Sequence, residues 1–388
     1  MAATADAVKP PRRIGGLDVL IGQSLAFLGA LALAAAIGSI IIIAYGQNPL
    51  DIYRTIWVYA TSSPADFAQV LEFATPLIFS GLAVAVAFKA GMFNIGVEGQ
   101  YRVGMMTAAA AALGLKSLPM FLLLPAVLIA AMLGSMVWAA IPGILKVKTG
   151  AHEVVTTIMM NGIATSIVAW ALLNPLRTSE EGRLDLRTDL FPDKALVPNI
   201  AETLGMEDTI PRSVHLTWLF VLALVACALV WWFFYRTRLG YEVRAVGNSS
   251  GSAQASGISI GAAQVKVFLI SGALAGFVGL NHILGDKGYL GSNYETGLGF
   301  AGITVAFLGR NHPVGILLSA ILIGMINRGQ DGIQVTTDLP REILVILQGI
   351  LILSVVVAYE IARRALARRR QSEERKAEAS AKPAGEVA

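Results

Sequence analysis

Charge is scarce in this chain. Only 14% of its 388 residues are Asp, Glu, Lys or Arg, and 55% are apolar. A soluble domain carries about 25% charged residues. The deficit excludes a water-exposed globule of this length, and the mean hydropathy of +0.65 points to a polytopic membrane protein. Cysteine is nearly absent: Cys227 stands alone inside an apolar run, so no intrachain disulfide is possible. The four histidines (His152, His215, His282, His312) are scattered, no Cys/His cluster has metal-ligand spacing, and no metal is expected. A Gly-x-x-x-x-Gly-Lys-Ser/Thr phosphate loop is missing, so the chain is not expected to hydrolyse ATP by that route. A nucleophile elbow, a zincin motif and a Cys-x-x-Cys pair are missing too, and no catalytic residue or cofactor is expected. The pI of about 9.2 reflects tail and loop cations. Cytoplasmic positive charge explains it better than nucleic-acid binding.

What is abundant is apolar sequence. Ten segments reach or approach spanning length: Ser24–Tyr45, Ala74–Phe88, Val103–Leu115, Met120–Leu145, Val154–Leu173, Leu216–Tyr235, Val265–Leu284, Phe300–Leu308, Val314–Ile326 and Ile343–Tyr359. A straight span needs about 20 residues, so the short segments are extended by polar flanks or broken. The fold expected is all-α, polytopic, with about ten transmembrane helices and short or broken helices in both halves. Lys9, Arg12 and Arg13 precede the first segment. It is too long for a signal-peptide core and lacks a clear cleavage site, so it reads as a membrane helix. Lys146, Lys148, Arg236, Arg238, Arg244 and the Arg-rich tail from Arg363 fall on one side if the N-terminus is inside. Both termini are then cytoplasmic. The acid-rich Asn174–His215 segment (Glu180, Glu181, Asp185, Asp189, Asp193, Glu202, Glu207, Asp208) lies outside, as expected of an untethered outer loop. Residues 1–22 read as a cytoplasmic segment, 23–360 as the transmembrane domain and 361–388 as a basic cytoplasmic tail without fixed structure.

One stretch interrupts the apolar pattern: Gly91-Met92-Phe93-Asn94-Ile95-Gly96-Val97-Glu98-Gly99-Gln100. A carboxylate at a helix centre costs roughly 2.5–3.5 kcal/mol on insertion scales. Such a segment is tolerated where it is buried in protein or lines a wet cavity. On a helix, Asn94 and Glu98 would share a face. Two readings stay open: these residues with Phe93 and Gln100 line the substrate path, or they hydrogen-bond backbone freed where a helix breaks. Lys89 and Arg102 flank them, ready to pair with Glu98 or to face headgroups. Either reading makes Glu98→Ala harmful. Asn281 and His282, at the end of the seventh segment, are further path candidates. Trp231-Trp232-Phe233-Phe234-Tyr235 reads as an interfacial aromatic belt.

The stretch from Ala87 to Gln100 resembles the permease subunits of ABC importers for nucleosides, in the group that also serves ribose-type sugars and branched-chain amino acids. Two later segments carry the same resemblance, which runs from about residue 70 to 330. The first, Gly240 to Ile258, is similar to the group's coupling segment. Arg244-Ala245-Val246-Gly247 and Gly257-Ile258 match, while Asn248, Ser249 and Ser252 depart from the group's wording. Ser249 or Ser250 is expected to cap a short helix over about Ser252–Ser256. The ATPase-coupling candidates are Glu242, Arg244, Ala245, Val246, Gly247, Asn248, Ser249, Ala253, Gly257 and Ile258. The second, Gly297-Leu298-Gly299-Phe300 through Leu308-Gly309-Arg310-Asn311-His312-Pro313, is read as a packing element whose glycines permit tight crossings.

The resemblance implies a permease that forms a nucleoside translocation path in a bacterial plasma (inner) membrane. Its expected partners are a second permease subunit, a cytoplasmic ABC ATPase that binds the ATP, an extracytoplasmic substrate-binding protein and membrane lipid. Ribose-type sugars and branched-chain amino acids are the alternative cargoes. An ion-driven secondary transporter is the alternative class, and it would want intramembrane carboxylates or histidines. Apart from Glu98 the mid-span segments offer almost none. A membrane-embedded enzyme would want a convergent catalytic set, and none is visible.

Overall fold

In the computed structural model, residues 32–337 are described apart from Glu181 and Arg183, with isolated positions beyond them (29, and seven between 345 and 357). The expected segment Ile343–Tyr359 and both terminal segments therefore lie largely or wholly outside the described residues. The chain divides into two units. One comprises residues 1–52 and 338–388; its described part is helix α1 (Ala32–Ala44) and the start of α2 (Pro49–Thr61).

The other unit, residues 53–337, is a helical assembly. Its helices are α3 (Pro64–Phe88), α4 (Val97–Gly114), α5 (Met120–Thr149), α6 (Glu153–Leu173), α7 (Ile200–Thr203), α8 (Leu219–Arg236), α9 (Arg238–Asn248), α10 (Ser250–Ala255), α11 (Ile260–Ala275), α12 (Leu298–Leu308) and α13 (Pro313–Thr336). Five helices are long and apolar enough to cross a membrane by themselves: α3, α5, α6, α8 and α13. Helices α11 and α12 are shorter apolar elements. Among the described residues no strand forms, and only two isolated antiparallel bridges occur, Arg187 to Gly291 and Asn199 to Thr217.

Helix α3 is the spine of this unit. Every residue from Ala74 to Ala87 is buried, which explains why its sequence has no polar face. Small residues recur through the run (Ala74, Ser80, Gly81, Ala83, Ala85, Ala87). Lipid gives helices no hydrophobic drive to associate, so close backbone approach and buried hydrogen bonds hold such bundles together. Helices α8, α11, α12 and α13 pack around α3, and α4 packs between α5 and α6. The Ser80 hydroxyl donates to the Leu298 carbonyl at 2.8 Å and so pins α3 to the start of α12.

Three expectations are corrected. Helix α3 begins at Pro64, ten residues before the apolar run, because Ser63 caps it: its hydroxyl accepts from Asp66 N–H at 3.1 Å, and Pro64 opens the first turn. This brings Glu72 into the span. The seventh span, drawn as Val265–Leu284, is instead α11 followed by a turn and a separate π-helical segment, Asn281–Lys287. The Asn174–His215 loop is tethered. Thr188 N–H donates to Leu290 O at 2.9 Å, Phe191 N–H to Gly288 O at 2.8 Å, and Val197 N–H to Leu284 O at 3.0 Å. Arg187, only 6% exposed, lies 4.7 Å from the Tyr289 ring centre. The acids are partly spent locally: Asp189 sits below the usual carboxylate range because it accepts from Ser179 N–H and from the Thr178 and Ser179 hydroxyls.

Candidate functional site

The break between α3 and α4 is an elbow of non-helical backbone, residues 89–96. Asn94 lies in it and Glu98 in the first turn of α4, so they do not share a helix face as the spacing suggested. Glu98 is 2% exposed. Its Oε1 accepts from Gly297 N–H at 2.8 Å and its Oε2 from Gly299 N–H at 2.9 Å. These are free donors at the N-terminus of α12, and a carboxylate there also answers the helix dipole. Arg102 Nη2 donates to Glu98 Oε1 at 2.6 Å, and the Tyr101 hydroxyl lies 3.0 Å from the same oxygen. Lys89, the other flanking cation, has Arg244 as its charged neighbour instead. Gly299 lets this happen: a Cβ there would stand 2.6 Å from Glu98 Cα.

Asn94 and Gln100, both buried, pair amide to amide at 3.0 and 3.1 Å. Asn94 also accepts from Gly96 N–H at 2.9 Å and donates to Ser271 Oγ at 2.8 Å. Ser271 in turn donates to the Ala83 carbonyl at 2.6 Å. Phe93 packs edge-on against Phe88 at 4.6 Å between ring centres. The Asn94 side chain thus meets backbone freed by the break, and Gln100 of α4 and Ser271 of α11 hold it in place.

The coupling candidates occupy one continuous feature. Glu242 to Asn248 lie on α9, Ser249 joins α9 to α10, and Ala253 lies on α10. Ser249 caps α10 by accepting from Ser252 N–H, as expected, although the helix begins at Ser250. Helix α9 itself was not expected. Its inward residues Gly240, Val243 and Val246 are buried at a spacing of three, and Val246 packs with Ala253 and Ala263. Glu242 accepts from Arg238 at 3.0 Å, and the Arg244 guanidinium lies 5.2 Å from the Tyr235 ring centre. Gly257 turns with φ of +78° and Ile258 packs on the same small core. The end of α9 touches the elbow directly, because a Cβ on Gly247 would collide with the Lys89 carbonyl oxygen. Burial, and then the neighbouring Arg244 charge, lower the pKa of Lys89.

The π-helical segment positions the remaining two candidates. Asn281 and His282 line a cavity of about 150 Å³ together with Glu72, Asp286, Glu295 and Asn327. Asn281 accepts from the Thr217 hydroxyl at 2.7 Å and donates to the His215 carbonyl at 3.3 Å. His215 N–H donates to Glu72 Oε2 at 2.9 Å. Asp286 lies 2.9 Å from Lys287 Nζ, 3.5 Å from His215 Nε2 and 3.9 Å from His282 Nδ1.

Residues 67–356 match the family described as branched-chain amino acid transport system / permease component. The chain belongs to this permease family. Three curated relatives cover most of it. A guanosine ABC transporter permease protein of Bacillus subtilis is 34% identical over 333 residues, covering 86% of this chain and 92% of the relative. A glucose ABC transporter permease protein of Haloferax volcanii is 32% identical over 327 residues, covering 84% and 85%. A nucleoside ABC transporter permease protein of Lactococcus lactis subsp. cremoris is 30% identical over 334 residues, covering 86% and 90%. The protein is therefore a multi-pass membrane permease of an ABC transporter.

Sequence reasoning missed two parts of this permease. Asn161, 8% exposed on α6, accepts from Gly99 N–H at 2.8 Å and donates to the Ile95 carbonyl at 3.0 Å. An amide in the run Ile158-Met159-Met160-Asn161 was the available signal, since intramembrane polar groups face the bundle interior. Replacing Asn161 with Ala leaves a buried donor and a buried acceptor unmet, each worth about 1–3 kcal/mol. We expect the Asn161→Ala permease to unfold at clearly lower temperature in detergent, and an unchanged melting curve would refute this. The second miss is Glu72. It belongs to the apolar-flanked run Val70-Leu71-Glu72-Phe73, and the late start drawn for α3 hid it.

Proposed function

We propose that this permease forms half of the import path for nucleosides in a bacterial plasma membrane, with both termini cytoplasmic. The observation that carries the cargo reading is the 34% identity to a guanosine permease across 86% of this chain. A second reading, a free sugar, is favoured by the 32% identity to a glucose permease. Both cargoes present a polyhydroxylated ring.

The geometry supports a set of roles. The α10 face carrying Ser250, Gly251, Ser252 and Gln254 is exposed, as is Ser256 just beyond it, and this is the seat for a cytoplasmic ABC ATPase. The tethered 174–217 cap is the outer surface offered to a substrate-binding protein. A second permease subunit covers the exposed stripe of α6, where Gly162, Thr165, Ser166 and Ala169 place small and polar groups that fit a helix interface better than lipid. Asn94, Glu98 and Gln100 hold the elbow, and Asn281 and His282 border the path. ATP-driven motion of the seat biases the path between outward and inward openings, so contacts that differ between the two states carry the work.

The test is uptake of radiolabelled guanosine and glucose by a strain lacking this gene, with and without the wild-type copy. Guanosine uptake restored by the gene supports the nucleoside reading. Glucose uptake alone moves the assignment to the sugar. Restoration of neither refutes both.

A further inference from the structure

The cavity behind the π-helical segment has a chemistry that the family assignment does not explain. Its wall is rich in hydrogen-bond acceptors: Glu72, Asp286 and Glu295 all border it, with the amide of Asn327 and the ring of His282 beside them. Much of this capacity is open to a ligand. Glu72 commits one oxygen, Oε2, to His215 N–H, and its Oε1 has no hydrogen-bond partner among the described residues. Nor has the side-chain amide of half-buried Asn327. Asp286 is neutralised by Lys287 at 2.9 Å, but a carboxylate has about four lone-pair sites, so it retains room for another donor. The rest of the wall is apolar, from Phe73, Leu77, Val278 and Leu298.

Two further features mark the cavity as built. Its polar rim is held from outside: His215 gives its N–H to Glu72, its carbonyl to Asn281 and its ring to Asp286. The residues on the π-helical segment are held in turn by Thr217, whose hydroxyl donates to Asn281 at 2.7 Å. Inserted π turns are frequent at functional sites. At about 150 Å³ the cavity is of the size that admits a single six-membered ring.

We propose that this cavity is a cargo subsite that reads a vicinal pair of ring hydroxyls. The hydroxyls donate to Glu72 Oε1 and to Asp286, Asn327 donates back to one of them, and Phe73 and Leu298 cover the ring's C–H face. A carboxylate accepting from ribose hydroxyls is a recurring solution in nucleotide sites. A site built to bond a hydroxyl rejects the analogue lacking it, because its own buried polar groups are then left unmet. The proposal rests on the polyhydroxylated-cargo reading above, and it applies alike to a nucleoside's pentose and to a free sugar.

The test uses the complete transporter, with ATPase and binding protein, in proteoliposomes. Uptake of guanosine is compared with that of 2′-deoxyguanosine, and glucose with 2-deoxyglucose, for wild type, Glu72→Gln and Asn327→Ala. The Glu72→Gln variant keeps an acceptor for His215 N–H and turns an N–H donor to the cavity, so it tests the cavity-facing oxygen and not the rim. The binding protein is the same in every arm, so any preference it imposes cancels between variants. The expected result is a hydroxyl preference in wild type that falls at least fivefold in both variants, with uptake of the deoxy cargo within twofold of wild type. Variants are compared at equal amounts in the membrane, and Asp286→Asn replaces either one that fails to insert. A preference unchanged in the variants, or equal uptake of both cargoes by wild type, overturns the subsite. Loss of guanosine uptake alongside a discriminating glucose arm overturns the nucleoside reading and leaves the subsite standing. Uptake of neither cargo overturns both.

Discussion

Glu98→Ala is expected to lower uptake at least a hundredfold at equal amounts in the membrane. The carboxylate is 2% exposed and serves four groups at once: two N–H donors opening α12, the Tyr101 hydroxyl and the Arg102 guanidinium. Removing it strands a cation that is itself mostly buried, with side-chain exposure of 12%. Breaking a buried pair from one side costs about 3–5 kcal/mol, and each unmet N–H adds about 1–3 kcal/mol. These sums rival the whole stability of a typical domain, about 5–15 kcal/mol, so the loss shows as misplacement of α12 or as unfolding. Thermal unfolding in detergent reads the stability and uptake reads the function. Glu98→Gln keeps an acceptor for Gly297 or Gly299 and is expected to be milder than Glu98→Ala. A double variant, Glu98→Leu with Arg102→Leu, is expected to be more stable than Glu98→Leu alone, because no charge is then stranded. If Glu98→Ala transports and melts like wild type, the carboxylate does not anchor α12.

Gly247→Val is expected to separate ATP hydrolysis from transport. A side chain at 247 runs into the Lys89 carbonyl oxygen and stands 3.1 Å from Gly91 N. Both obstacles are backbone and cannot swing aside as a flexible side chain does. The end of α9 must therefore lift from the elbow, while the α10 face stays free to seat an ATPase. Hydrolysis within about twofold of wild type with uptake reduced at least tenfold is the expected pattern. Gly251→Ala is the control, since a Cβ there meets nothing within 4 Å and Ala suits a helix better than Gly. Equal loss in the two variants would show that glycine content matters and the elbow contact does not.

The parts of this site that were legible in the sequence are those written locally. The elbow announced itself because glycines, amides and a carboxylate interrupt apolar sequence between Phe88 and Val103. The α10 cap was legible because Ser249 sits next to the helix it starts. What Glu98 does was not legible, since its partners Gly297 and Gly299 are 199 and 201 residues away. Helix α9 was obscured by its polar composition, though Gly240, Val243 and Val246 keep a helical spacing. The 174–215 segment looked untethered because its anchors, Leu284, Gly288 and Leu290, lie far along the chain from it. The cavity was hidden for a simpler reason. Its lining comes from α3, the π-helical segment, the loop before α12, and α13, and no single stretch of sequence contains more than a part of it.

The distance in sequence between Glu98 and Gly297 bears on how the chain is made. At about 5–20 residues per second, the separation of 199 residues takes the ribosome on the order of 10–40 s. During that interval Glu98 has no α12 to cap, and alone it would enter lipid as a bare anion. Arg102, one turn on and 2.6 Å away, travels with it. The pair keeps α4 near neutral until α12 is made and its two N–H donors meet the carboxylate.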